Sequence, residues 1–309
     1  MSHSPGPGLT PGEHNDSPPI INSPFRFWGG LRGDLQEAIS QRQLLRSLIA
    51  RELRQRYKGS FLGWGWALIR PLVLLAIYGL AVGVFLGAGA SIPEFGVYLY
   101  VGLIAWIFFS SIVSGSVNAL PANAALINKA AFRRELLIVA VLVVAVVDLL
   151  IQASVLVLGY LFYGAWPTLI NFWWLLTGFS ALTALAAGLG LLLSAINVRF
   201  RDVGYFVDVA LQVGFWLVPI LYSYAMVESV LASQPQILAL YTANPTLAPV
   251  TAFRYALWPS VTTEAGASQL LSMQSTVTFL AFSILLGLIL LWLGQRIFSR
   301  MSGNIAQEL

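Results

Sequence analysis

The sequence predicts an all-α polytopic membrane protein: six transmembrane helices, an N-terminal amphipathic interface helix, and short re-entrant or interfacial helices between spans five and six. Three observations carry this. Hydrophobic residues fill 58% of the 309 positions and charged residues 10%, against a charged share of about 25% in ordinary soluble domains. A chain this apolar cannot cover its own surface with polar groups, so lipid is the solvent for much of it. Second, six apolar runs are long enough to cross a bilayer, and they are continuous, without the in–out alternation of barrel strands. Third, Lys and Arg collect on one side of those runs.

The runs are Trp66–Gly87, Val97–Val117, Leu136–Phe162, Thr168–Ile196, Val203–Tyr222 and Met273–Gly294. Crossing ~30 Å of hydrocarbon takes about 20 helical residues at ~1.5 Å each; the third and fourth runs exceed this and are expected to tilt or project. Arg26 through Lys58 precede the first run, and Lys129, Arg133 and Arg134 separate the second from the third. Arg199 and Arg201 separate the fourth from the fifth, and Arg296 and Arg300 follow the sixth. The alternate loops hold only Arg254 as a cation, with Glu94, Glu228 and Glu264. Both termini are therefore expected in the cytoplasm. The net charge of +4 reads as this orientation signal, and no nucleic-acid partner is expected.

Residues 1–30 are rich in Pro, Gly and Ser and read as a disordered cytoplasmic tail without a secretory signal. Residues 31–65 form an amphipathic interface region, 66–296 the six-span domain and 297–309 a second cytoplasmic tail. Within "QRQLLRSLIARELRQRYKGS", Leu44, Leu45, Leu48, Ile49 and Leu53 share a broad face. Arg51, Arg54 and Lys58 lie opposite, and Arg56 intrudes into the apolar arc. The helix reads equally as a working surface or as a positive-inside anchor. Residues 223–271 are long yet apolar in pieces too short to cross, with Pro245 and Pro249 expected to break the path between them.

Several chemistries are absent from the sequence. Lys58 and Lys129, the only lysines, follow Tyr and Asn, so no Gly-x-x-x-x-Gly-Lys-Ser/Thr loop exists to cradle a nucleotide phosphate. His3 and His14 are the only histidines and there is no Cys, which argues against a histidine base or a thiolate metal site. No catalytic residue, metal or resident cofactor is expected, and energy for uphill movement must come from a partner or an ion gradient. Three charged residues fall inside the spans, Arg70, Asp148 and Asp208, with the polar Gln152 one turn on from Asp148. Ionisable groups there are costly in lipid and are candidates for function. The acids read either as a proton relay or as partners in ion pairs and interhelical hydrogen bonds. Of the many aromatics, Trp66, Tyr78, Phe215, Trp216 and Tyr222 are candidates for packing against sugar rings, or for simple interface anchors.

Five stretches carry a resemblance. "RQRYKGSFLGWGWALIRPL" at Arg54–Leu72 resembles the entry to the first span of ABC-2 type permeases, in the branch that exports O-antigen, capsule and teichoic acid. "ANAALINKAAFRRELL" at Ala122–Leu137 is similar to the cytoplasmic coupling segment of that family, which often has Pro where this chain has Arg133. "NVRFRDV" at Asn197–Val203 resembles its second cytoplasmic loop, and "FWLVPILYS" with "NPTLAPVTAFRYAL" resembles the end of the fifth span and the external gate.

The resemblance implies a homodimeric permease in a bacterial plasma membrane, bound to two copies of a separate ATPase subunit that carries the ATP and Mg. It implies that the segment 122–135 docks on that ATPase through Asn128, Lys129, Phe132, Arg133, Arg134 and Glu135, supported by Arg199, Arg201 and Asp202; Asp202 equally reads as a partner of Arg199 or Arg201. Arg51, Arg54, Arg56, Tyr57 and Lys58 would form a substrate entrance. The aromatic candidates would line a channel for a polyprenyl-linked glycan, and Glu228, Asn244, Pro245 and Arg254 would sit at the external gate. Competing expectations are a small-molecule or drug exporter of the same superfamily, a proton-driven transporter using Asp148 or Asp208, and a membrane-embedded glycan-processing enzyme.

Overall fold

The computed structural model describes residues 42–57, 63–127, 132, 134–168 and 171–301. The tail 1–30, residues 31–41 and residues 302–309 lie outside the described residues. Every regular element among the described residues is helical. In chain order these are α1 Arg42–Tyr57, α2 Trp66–Tyr78 running on into a π-helical stretch Gly79–Phe85, α3 Ala88–Ser91, α4 Phe95–Ala122 and α5 Ala124–Ile127. There follow α6 Glu135–Tyr163, α7 Phe172–Arg199, α8 Asp202–Trp216, α9 Tyr224–Val230, α10 Pro235–Thr242, α11 Leu247–Leu257, α12 Glu264–Ala267 and α13 Met273–Met301.

Five helical stretches are long and apolar enough to cross a membrane: Trp66–Phe85, α4, α6, α7 and Met273–Phe298 of α13. The fifth predicted run departs from expectation. Its helix ends at Trp216 after 15 residues, which is ~22 Å of helix and short of the hydrocarbon thickness. Leu217–Ser223 continues as an irregular segment around Pro219, whose ring excludes the N–H a helix would need there. A second departure is Pro249, which occupies the first turn of α11, where a missing N–H is tolerated, and so does not interrupt the path. Helix α13 also runs five residues into the expected 297–309 tail, to Met301.

Helix α4 is the buried centre, packed against α6, α7 and α11. The most extensive helix–helix contact joins α7 to α13 along a seam of small residues. A Cβ on Gly188 would lie 2.7 Å from both Leu290 Cβ and Leu291 N, and one on Gly287 would lie 2.8 Å from Ala184 Cβ and Leu185 N. Between lipid-solvated helices there is no hydrophobic drive, so such backbone approach supplies the attraction by dispersion. Helices α2 and α8 sit outside this block: α2 and its π-helical continuation expose Leu72, Val73, Ile77 and Leu80, and α8 exposes Tyr205, Phe206, Val209 and Val213.

Two apolar clusters mark the ends of the bundle. At one end Leu48 of α1 packs with Leu120, Ile127, Leu136, Val198 and Phe298, burying that Leu for about 1.5–3 kcal/mol. At the other, Tyr224, Leu247 and Leu271 gather with Leu238 and Tyr241. The turn before α4 is held there by Trp258, whose Nε1 donates to the Pro93 carbonyl at 3.1 Å, and by Ser260, whose hydroxyl donates to Glu94. Glu94 itself adopts a left-handed φ of 40°, a strained conformation for a non-glycine residue.

Gly188→Val is expected to overpack the α7–α13 seam and cost about 1–3 kcal/mol, read as a lower unfolding midpoint in detergent. Gly79→Ala, where a Cβ meets nothing within 4 Å, is expected to leave that midpoint unchanged or raise it.

Candidate functional site

A cavity of about 760 Å³ opens between α2, α4, α6 and α8. Helix α2 contributes Trp66, Arg70, Leu74 and Tyr78, a stripe at i+4 spacing that places one residue per turn on the same face. Helix α8 contributes Leu211, Gln212, Phe215 and Trp216 from its last turns; α4 contributes Trp106 and the hydroxyls of Ser110, Ser111 and Ser114; α6 contributes Asp148 and Gln152. The last two are four apart and nearly buried, at 8% and 5% exposure. The turn carrying Gln152 is fixed by the Tyr100 hydroxyl, which donates to the Gln152 carbonyl at 3.0 Å. Asp208, on α8, accepts from Ser114 Oγ at 3.2 Å.

The aromatic wall is a packed cluster. Tyr78 and Phe215 stack at 5.7 Å, Trp106 meets Phe215 edge-on at 6.2 Å, and Phe215 meets Trp216 edge-on at 5.8 Å. One side of the chamber is therefore apolar ring surface and another carries hydroxyl, amide and charged groups, a combination suited to ligands with C–H faces and hydroxyl edges. Of the five aromatic channel candidates, four line this space. Tyr222 lies elsewhere: its hydroxyl donates to the Trp216 carbonyl and meets the Tyr241 hydroxyl at 3.2 Å, because the chain has already left the helix by that point.

Beyond the cavity, the irregular segment after α8 presents backbone carbonyls that a continued helix would have satisfied, and residues from distant elements bond them. Arg254 of α11, 1% exposed, donates to the carbonyls of Pro219 at 2.6 Å, Ile220 at 3.0 Å and Tyr98 at 3.4 Å. Its guanidinium lies 3.7 Å from the centroid of the Tyr98 ring. Tyr98 in turn donates to the Tyr222 carbonyl at 2.9 Å, and Asn244 Nδ2 donates to the Leu217 carbonyl at 3.2 Å. Asn244 Oδ1 accepts from the Thr246 amide and hydroxyl, an Asx turn that carries Pro245 into α11. Glu228 is exposed on α9.

At the opposite end, Asn128, Lys129 and Arg133 lie outside the described residues, as does Lys58. Phe132 is half-buried against the apolar cluster that also holds Leu48 and Ile127. Arg134 precedes α6 and Glu135 begins it; burial lowers the Arg134 pKa from its ordinary value while the neighbouring Glu135 carboxylate opposes that shift. Arg51 is half-buried; Arg54 is exposed, with its Nε donating to the Ala50 carbonyl at 3.0 Å. Arg56 and Tyr57 close α1, their side chains lying outside the described residues. Arg199, Arg201 and Asp202 are exposed at the α7–α8 turn, Arg199 lying 5.7 Å from the Phe200 ring centroid.

Three contributors escaped sequence reasoning. Trp106 sits in an unbroken apolar run and gives no signal distinct from its neighbours. Asn197 fastens the α7–α8 turn, its Nδ2 donating to the Val117 carbonyl and its Oδ1 accepting the Gly204 amide, both at 3.0 Å; a buried Asn at a helix end is the available cue. Tyr98 was hidden among aromatics of the second span. Arg254→Lys and Arg254→Met are both expected to destabilise by about 2–3 kcal/mol, because one ammonium cannot reproduce a planar fork laid on a ring; thermal unfolding of the purified variants measures this.

Residues 43–258 match the family of ABC-2 type transporters. The chain is 30% identical over 224 residues, 71% of its length and 82% of the relative's, to the O-antigen export system permease protein RfbA of Myxococcus xanthus. It is 29% identical over 184 residues, 60% of its length and 70% of the relative's, to a protein of the same description from Klebsiella pneumoniae. It is also 27% identical over 247 residues, 77% of its length and 90% of the relative's, to the polysialic acid transport protein KpsM of Escherichia coli. With an all-helical bundle, several apolar helices of membrane-crossing length and a polar–aromatic cavity between them, this protein belongs to the ABC-2 type transporter family.

Proposed function

We propose that this chain is the membrane-spanning subunit of an ATP-driven exporter that moves a lipid-linked polysaccharide or glycan precursor out of the cytoplasm across the plasma membrane. The observation that carries the proposal is the cavity whose aromatic cluster lies between α2 and α8, read together with relatives named for O-antigen export and polysialic acid transport. In this reading α8 and the irregular Leu217–Ser223 segment together make the sixth crossing, which leaves both termini cytoplasmic. The exposed faces of α2 and α8 meet a second copy of the chain, so that two cavities form one path. Sugar units follow that path against Trp66, Tyr78, Trp106, Phe215 and Trp216, while the lipid tail stays in hydrocarbon and avoids desolvation.

A separate ATPase subunit, in two copies, docks at the end where α1, Phe132 and α6 gather. Its closure displaces the segment 122–135, and the shift reaches the spans because Phe132, Ile127 and Leu48 share one apolar cluster. A rearrangement between two packed states is the expected form of the motion. The cationic face of α1, with Arg51, Arg54, Arg56 and Lys58, receives the anionic head of the lipid-linked cargo. The Arg254 assembly holds the outer end closed until α8 moves.

Reconstitution with the ATPase subunit in vesicles tests the whole: ATP-dependent translocation of lipid-linked glycan is expected, and uphill movement by the isolated chain would contradict it. Arg133→Glu combined with Arg134→Glu is expected to cut co-purification of the ATPase by about tenfold, the equivalent of ~1.4 kcal/mol. An intact complex with undiminished turnover removes these residues from the docking surface.

A further inference from the structure

We propose, resting on the cavity as a glycan path, that it accepts uncharged, hydroxyl-bearing sugar units and discriminates against polyanionic glycans. Charge balance is the first ground. Among the described residues one cation, Arg70, and one carboxylate, Asp148, line the space. A second carboxylate, Asp208, reaches its wall through Ser114, whose Oγ donates to it at 3.2 Å. Among the described residues there is no excess of positive charge to meet a carboxylate or phosphate on every sugar, and like charges repel.

Two serine hydroxyls and one amide oxygen point the same way. Ser110 and Ser111 spend their hydroxyl hydrogens on the carbonyls of Ile107 at 3.2 Å and Phe108 at 3.0 Å, which leaves their lone pairs to accept. Gln152 lines the cavity at 5% exposure, and its side-chain oxygen Oε1 has no hydrogen-bond partner among the described residues. A buried acceptor left unmet is costly. Sugar hydroxyls and N-acyl N–H groups supply the missing donors; carboxylate and phosphate oxygens only add acceptors. The rings of Tyr78, Phe215 and Trp216 take the C–H faces of the same units without regard to charge.

The test titrates the purified full-length permease, at low salt, with a neutral oligohexose and with a sialic acid oligomer of equal length. Quenching of tryptophan fluorescence is the readout, since Trp66, Trp106 and Trp216 stand in the wall. The neutral sugar is expected to saturate, and the anionic oligomer to need at least ~tenfold more ligand, as like-charge juxtaposition demands. Asp148→Asn with Asp208→Asn is expected to narrow that gap to about threefold, and Gln152→Leu to weaken the neutral sugar by about fivefold. The wild-type comparison decides the matter even if a variant misfolds. Equal or tighter binding of the sialic oligomer overturns the charge selection while leaving the glycan path standing. Quenching by neither sugar overturns the path, and the selection with it.

Discussion

A single guanidinium organises one end of this protein. Backbone polar groups at membrane depth must be satisfied within the protein, and α8 breaks after Trp216, releasing the carbonyls of Leu217–Ser223. Arg254 answers two of them and Tyr98 and Asn244 answer others. Removing the charge would leave acceptors stranded; removing the break would leave a buried arginine with nothing to hold. The two features require each other, and they join α4, α8 and α11 without an ion pair. Tyr98 adds its ring beneath the cation and so delocalises part of the burial cost.

The bundle divides into a stiff part and a loosely held part. Helices α4, α6, α7, α11 and α13 share the core, and the glycine seam between α7 and α13 leaves no slack for sliding. Helices α2 and α8 bury little of their surface, yet they carry much of the cavity wall. A chamber bounded on one side by a fixed block and on the other by lightly packed helices can change volume without unfolding its core, since packed interiors switch between discrete arrangements instead of stretching. The π-helical stretch Gly79–Phe85 immediately follows Tyr78, and such irregular turns are common where helices must give.

Much of this was legible in the residues. Five of six spans were found to within a few positions because continuous apolar runs of that length have no other stable home. Asp148 and Gln152 announced a shared face through their spacing, and Arg254 stood out as the one cation on its side. The helix of the fifth run is shorter than its apolar stretch because hydropathy weighs side chains and is blind to the backbone: Leu217–Tyr222 is apolar enough for lipid but is not helical, and Pro219 was the warning. Pro249 misled for the converse reason, since a proline in the first turn of a helix costs nothing. Tyr222, a channel candidate in the sequence, lies outside the cavity lining because its stretch of chain has left the helix. Trp106 was passed over because patterning ranks an aromatic in an apolar run as packing, and only neighbours from other helices make it a wall.

The glycine seam also bears on how the protein is made. Gly188 and its contacts at Leu290 and Leu291 lie far apart in the chain, so α7 enters the bilayer well before its mate exists. Until α13 emerges from the ribosome, the small-residue face of α7 borders lipid that cannot fill its groove. Final consolidation of the stiff block therefore waits until α13 has been made and can fill that groove.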